Sequence, residues 1–180
     1  MRIFTLTLSL ILFIFIAPLY AEEATKPVFT LNTNAFLDAG ILPVLYTCDG
    51  KNVSPQFDWV NTPEKTQAFA MILADPEAPK SPFYHWLVYN IPQNETALAQ
   101  GITQYSAGTL IGKNDFGKTS YGGPCPPKGS AHSYVFTIYA LDNKLTIPAG
   151  ADAKTVMDAM KNHVLAKTQL TAVYSRWINA

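Results

Sequence analysis

The chain alternates between short apolar stretches and turns marked by proline or glycine, after one longer apolar run at its start. Val28-Phe29-Thr30-Leu31 alternates with period two, the signature of a strand with one buried face. Ala68–Ala74 (AFAMILA) is continuously apolar between Pro63-Glu64 and Asp75-Pro76, which predicts a strand covered on both faces. Tyr84–Ile91 (YHWLVYNI) is rich in aromatic and β-branched residues and stops at Pro92. In Ser133–Leu141, Tyr134, Phe136, Ile138 and Ala140 alternate against Val135, Thr137 and Tyr139. Helical spacing is convincing once, where Asp152 is a candidate N-cap and Val156, Met157, Met160 and Val164 follow. Thr168–Tyr174 then alternates as a last strand. This order predicts a mainly β domain with an antiparallel core and a few peripheral helices.

The opening run is of a different kind. Arg2 precedes the apolar stretch Ile3–Ile16, Pro18 interrupts it, and Leu19-Tyr20-Ala21 ends on a small residue before Glu22-Glu23. A positive start, a short apolar stretch and a small-residue exit describe a secretory signal peptide, residues 1–21, cleaved after Ala21. The stretch falls short of the roughly 20 residues that span a bilayer, so no membrane span is expected after cleavage. Residues 22–180 carry no linker, repeat or low-complexity tract and read as one domain, exported to the periplasm or secreted.

Thirteen basic residues face thirteen acidic ones, so no nucleic-acid partner is expected. Gly112-Lys-Asn-Asp-Phe-Gly117-Lys118-Thr119 fits the phosphate-loop pattern literally. That motif works through a helix that starts after the lysine, and Ser120-Tyr-Gly-Gly-Pro-Cys-Pro-Pro127 cannot form one. No G-x-S-x-G elbow, C-x-x-C pair or zinc-ligand spacing occurs. Two cysteines, Cys48 and Cys125, favour a disulfide in an oxidising compartment, although spacing alone leaves two free thiols open.

Of three histidines, His163 falls near the end of the predicted helix and reads as structural, its charge suited to the helix dipole. His85 and His132 each lie in or beside a strand and follow unusual turns. The first turn is Asp75-Pro-Glu-Ala-Pro79, an acid held between prolines; the second is Tyr121-Gly-Gly-Pro-Cys-Pro-Pro-Lys-Gly-Ser-Ala131. Proline sets the backbone there and glycine admits a closely approaching ligand. The residues alone leave open a shared site of Asp75, His85 and His132 or two histidines hydrogen-bonded in place.

Asp75-Pro-Glu-Ala-Pro79 followed by His85-Trp86 resembles the first signature of the phosphatidylethanolamine-binding family, which includes Raf kinase inhibitor protein. Gly123-Pro-Cys-Pro-Pro-Lys-Gly129, His132-Ser-Tyr-Val-Phe136 and Tyr139-Ala-Leu-Asp142 resemble the second. Tyr46-Thr-Cys-Asp-Gly50, Asn52-Val-Ser-Pro55 and Asn114-Asp-Phe-Gly117 are similar to the bacterial branch. The resemblance runs from about Thr30 to Arg176 and implies a large central antiparallel sheet, a smaller second sheet and peripheral helices.

It also implies a small surface pocket for phosphate, a carboxylate or a phospholipid head group. Carried over by position, Asp75 is the pocket acid, Ala78 and Pro79 form a wall, and His85 and His132 are paired imidazoles. Gly123 and Pro127 belong to the pocket loop, and Tyr134 lies beside His132. Cys125 falls in that loop, and the Cys48 turn is placed where it could approach. Ser133 stands where many members have Arg, and Tyr84 where animal members have a second His, which removes contacts that animal partners use. The expected function is non-enzymatic anion binding with no cofactor. The alternatives are an inhibitor or modulator acting on a protein partner through the pocket rim, and a metal enzyme built on the carboxylate and two histidines.

Overall fold

The computed structural model describes residues 27–176. The expected signal segment and its cleavage point lie outside them. The strands, in chain order, are β1 (Thr30–Asn32), β2 (Gly40–Ile41), β3 (Phe57–Val60), β4 (Ala68–Asp75), β5 (Phe83–Pro92), β6 (Ala97–Leu98), β7 (Leu110–Ile111), β8 (Ala131–Leu141) and β9 (Val164–Ser175). One α-helix, α1 (Ala153–Met160), precedes β9, and a 3₁₀ turn covers Val44–Tyr46.

Six strands form the large sheet in the order β2-β9-β8-β4-β5-β7, and three form the small sheet in the order β1-β3-β6. All pairings are antiparallel except β2 with β9. The mainly β, two-sheet architecture expected from the sequence is therefore present, with one α-helix among the described residues rather than several.

The unbroken apolar character of β4 follows from its central place. Phe69, Met71 and Leu73 face a core shared with Phe57 and Trp59 of the small sheet and with Phe136 of β8. Ala70 and Ile72 face the opposite way, into a second core closed by Val156 and Met160 of α1. Phe57 packs on Phe136 with ring centroids 4.9 Å apart, and Trp59 on Phe69 at 5.1 Å. Such aromatic pairs add about 0.5–1.5 kcal/mol each beyond the area they bury.

Asp152 caps α1 as expected, its carboxylate accepting from the Thr155 N–H at 2.8 Å. The end of the helix departs from expectation. It stops at Met160, and Val164, which fits the helical spacing, is instead the first residue of β9. His163 therefore sits in the helix-to-strand turn, and its Nδ1 meets the Asp142 carboxylate at 2.8 Å. A carboxylate partner rather than the helix dipole explains its place. Residues 112–119 form no helix, so the phosphate-loop match has no structural counterpart.

Candidate functional site

β4 is antiparallel to both of its neighbours, so its last residue lies beside the first residues of β5 and β8. The two turns singled out in the sequence thus meet at one end of the large sheet. Asp75 closes β4, His85 lies near the start of β5, and His132 near the start of β8.

Asp75 is buried, 3% exposed, and fully engaged. One carboxylate oxygen accepts from the Glu77 N–H at 2.8 Å, in a turn set by Pro76, and the other lies 2.7 Å from His132 Nδ1. His85 is equally buried, and its Nδ1 lies 2.8 Å from the Gly122 carbonyl. A carbonyl or an ionised carboxylate only accepts, so Nδ1 carries the hydrogen on both rings and Nε2 is left to an incoming group.

Aromatic rings enclose His85, with Phe83 at 5.1 Å, Phe116 at 5.2 Å and Tyr134 at 5.4 Å between centroids. Burial lowers its pKa below the ordinary imidazole value, against the opposing pull of the Gly122 carbonyl and Asp75. The ring is therefore neutral at neutral pH. Tyr134 stacks near His132 at 6.4 Å, so one ring lies against both imidazoles. Its hydroxyl is buried close to the Asp75 carboxylate. Burial and the nearby Asp75 carboxylate raise its pKa, which keeps it a donor.

The loop that supplies the Gly122 carbonyl is held from several sides. Gly123 donates to Asn52 Oδ1 at 2.6 Å, and a side chain there would meet that oxygen and the Tyr46 carbonyl at 2.5 Å. Cys48 is bonded to Cys125, and the Cys48 N–H donates to the Pro124 carbonyl at 3.1 Å. Asp49, next to Cys48, takes Arg176 and the Tyr174 hydroxyl, which hold its carboxyl below the usual carboxylate range. Pro127 accepts from Ser130 in an exposed part of the loop, and Ala78 and Pro79 lie in the turn after Asp75.

Three contributors were not singled out from sequence. Asn114 is buried and its amide donates to the His85 carbonyl at 3.1 Å and the Ser120 carbonyl at 2.9 Å. Its carboxamide oxygen also accepts from Phe116 and Lys118, the local chemistry that asparagine brings to turns. Gly122 acts through a carbonyl, which no residue pattern reveals. Glu77 accepts from the Ser133 N–H at 2.5 Å, so a carboxylate flanks the residue that follows His132. Among the described residues, no three His, Cys, Asp or Glu side chains are grouped to hold a metal ion.

The family model for phosphatidylethanolamine-binding protein matches residues 32–175. The chain belongs to the phosphatidylethanolamine-binding protein family. A UPF0098 protein of Methanothermobacter thermautotrophicus is 41% identical over 149 residues, spanning 81% of this chain and 98% of that one. The UPF0098 protein YbhB of Escherichia coli is 38% identical over 133 residues, spanning 71% of this chain and 84% of its own length. Among solved structures, E. coli YbcL, described as a new member of the mammalian PEBP family, superposes with a TM-score of 0.78 at 32% identity. That match covers 82% of this chain and 98% of YbcL. Membership of this family supports a ligand-binding role for the fold.

Proposed function

We propose that this chain binds a small anionic ligand, without turning it over, at Asp75, His85 and His132. The chemical class is phosphate, a carboxylate or a phospholipid head group. The observation that carries the reading is that both imidazoles are anchored through Nδ1, which leaves Nε2 as the free nitrogen of each. Each is fixed through Nδ1, by a carboxylate in one case and a backbone carbonyl in the other, and Tyr134 lies against both. Asp75 positions His132 through its Nδ1.

The electrostatics set how such a site works. An anion oxygen needs a hydrogen on Nε2, and on His85 that means forming the imidazolium, which burial opposes. A bound anion offsets that cost, so affinity rises as pH falls through and below about 6.5. A singly protonated phosphate also offers an O–H donor to a neutral Nε2, so binding persists at neutral pH. Calorimetric titration with phosphate and with phosphoethanolamine tests the reading, with Asp75→Ala as the control. Binding of either that is lost in Asp75→Ala supports it, and equal binding by both proteins overturns it.

We further propose that the chain is exported. The Arg2–Ala21 pattern and the Cys48–Cys125 bond both favour an oxidising compartment outside the cytosol. N-terminal sequencing of the exported form should begin at Glu22; an intact Met1 there contradicts the proposal.

A further inference from the structure

The edge strand β2 pairs with β9 at Gly40 and Ile41 only, and a groove lies where that pairing ends. It has a volume of about 530 Å³ and is lined by residues 41–44 and 173–176, together with Asp49 and Lys128. Its aliphatic wall is open to water, with Ile41 82% exposed and Val44 52% exposed. Large apolar side chains gathered in a concave surface mark a place where something docks.

The strand period says which side chains share that wall. Tyr174 and Arg176 both reach the Asp49 carboxylate, so they lie on one side of β9. Val173 and Ser175 therefore point to the other side. Ile41 is the register partner of Val173, and partners in a sheet project to the same face, so Ile41 joins them. Its neighbour Leu42 is turned the opposite way and buried. Arg176 keeps the chain in step with the sheet, since its carbonyl accepts from the Gly129 N–H. The next residues are Trp177 and Ile178. One further extended step, about 3.8 Å between Cα atoms, brings the chain to Trp177 on the side of Ile41, Val173 and Ser175.

We propose that Trp177, with Ile178 beside it, occupies this groove, so that the chain's own continuation straps β2 to β9. The lining matches an indole. Ile41, Val44 and Val173 supply aliphatic surface, and the cations of Lys128 and Arg176 suit the face of an aromatic ring. The Asp49 carboxylate is already met by Arg176 and Tyr174, so it asks for no cation from a ligand. Trp177 adjoins a lining residue, so no long loop must be closed to bring it there. A separate partner would have to offset the far larger loss of its own freedom.

The fluorescence of the full chain tests this. Of the three tryptophans, Trp59 and Trp86 are fully buried in the core, so the spectrum of the protein less that of Trp177→Phe isolates Trp177. Its emission should be blue-shifted from that of N-acetyltryptophanamide, and its quenching by iodide should be several-fold weaker. The double variant Ile41→Asp/Val44→Asp changes two exposed side chains and should leave the emission of Trp59 and Trp86 where it is. In that background the Trp177 contribution should shift to the red and its quenching should rise several-fold. Val164→Asp, at an exposed position at the other end of β9, should leave Trp177 protected. Quenching of Trp177 as strong as that of the free amide overturns the proposal, as does protection that survives the double variant. Protection that is lost on dilution of the protein overturns it too, because the groove would then be filled by a second copy.

Discussion

The molecule contains the same side-chain pair twice. His132 Nδ1 lies 2.7 Å from Asp75, and His163 Nδ1 lies 2.8 Å from Asp142. Geometry does not separate them, but their surroundings do. The first pair has side chains 11% and 4% exposed and lies near a second imidazole. The second has side chains 40% and 43% exposed in a helix-to-strand turn. Water screens the second pair and can satisfy either partner alone, so it holds a turn and little more. In the first pair each group depends on the other, and the ring is locked with Nε2 presented. Burial beside a second oriented imidazole, rather than the pair itself, makes the candidate site.

The largest expected effect concerns the bond between Cys48 and Cys125, which pins the loop behind His85 and has no counterpart near His163. It closes a separation of 77 residues, worth up to about 4 kcal/mol in the chain-entropy account. Reduction, or the Cys48→Ser/Cys125→Ser double variant, should lower the urea midpoint accordingly and weaken phosphate binding several-fold. The ring nitrogen signals of His163 should stay where they are. Unchanged phosphate affinity in the reduced, folded protein would mean that the loop is held well enough by its hydrogen bonds alone.

Asp75→Ala should cost about 2–3 kcal/mol, because it leaves the Glu77 N–H and the His132 ring without their charged acceptor. Asp142→Ala should cost under about 1 kcal/mol, as exposed pairs do. Urea unfolding of the two variants side by side measures the contrast, and equal losses would erase it.

The pH dependence of stability follows from His85. Its folded-state pKa is lowered, so below about 6.5 the unfolded chain takes up the proton first. The stability that comes from keeping this ring neutral is present above that pH. It is lost as pH falls towards the folded value, at no more than about 1.4 kcal/mol per pH unit. His85→Gln should flatten that part of the stability profile, as seen in urea midpoints between pH 7.5 and 5. The smallest effect belongs to His163→Ala, which should change stability by under about 1 kcal/mol and phosphate affinity not at all.

Much of this arrangement was legible in the chain. The four longest strands and the short β1 announce themselves through alternation, aromatic and β-branched content or, in β4, an apolar run that a doubly covered strand carries. β3 was not singled out. Asp152 marks the start of α1 because capping is local chemistry. The end of that helix was not legible, since Val164 satisfies the helical period and the β9 alternation equally and tertiary pairing with Leu141 decides between them. The two-residue strands β2, β6 and β7 carry no period of their own and exist through their partners. At the site, the turn residues pointed to Asp75, His85 and His132. The Gly122 carbonyl and the Asn114 amide act through backbone geometry that appears only when the chain is folded.

The most direct test is long-range ¹H–¹⁵N NMR of the three imidazoles during a phosphate titration at pH 6.5. In the free protein His85 should report the neutral, Nδ1-protonated tautomer. Added phosphate should shift the Nε2 signals of His85 and His132 towards the protonated or strongly hydrogen-bonded form and leave His163 unchanged. Movement of all three rings together, or of none while phosphate is bound elsewhere, would contradict the assignment of the site.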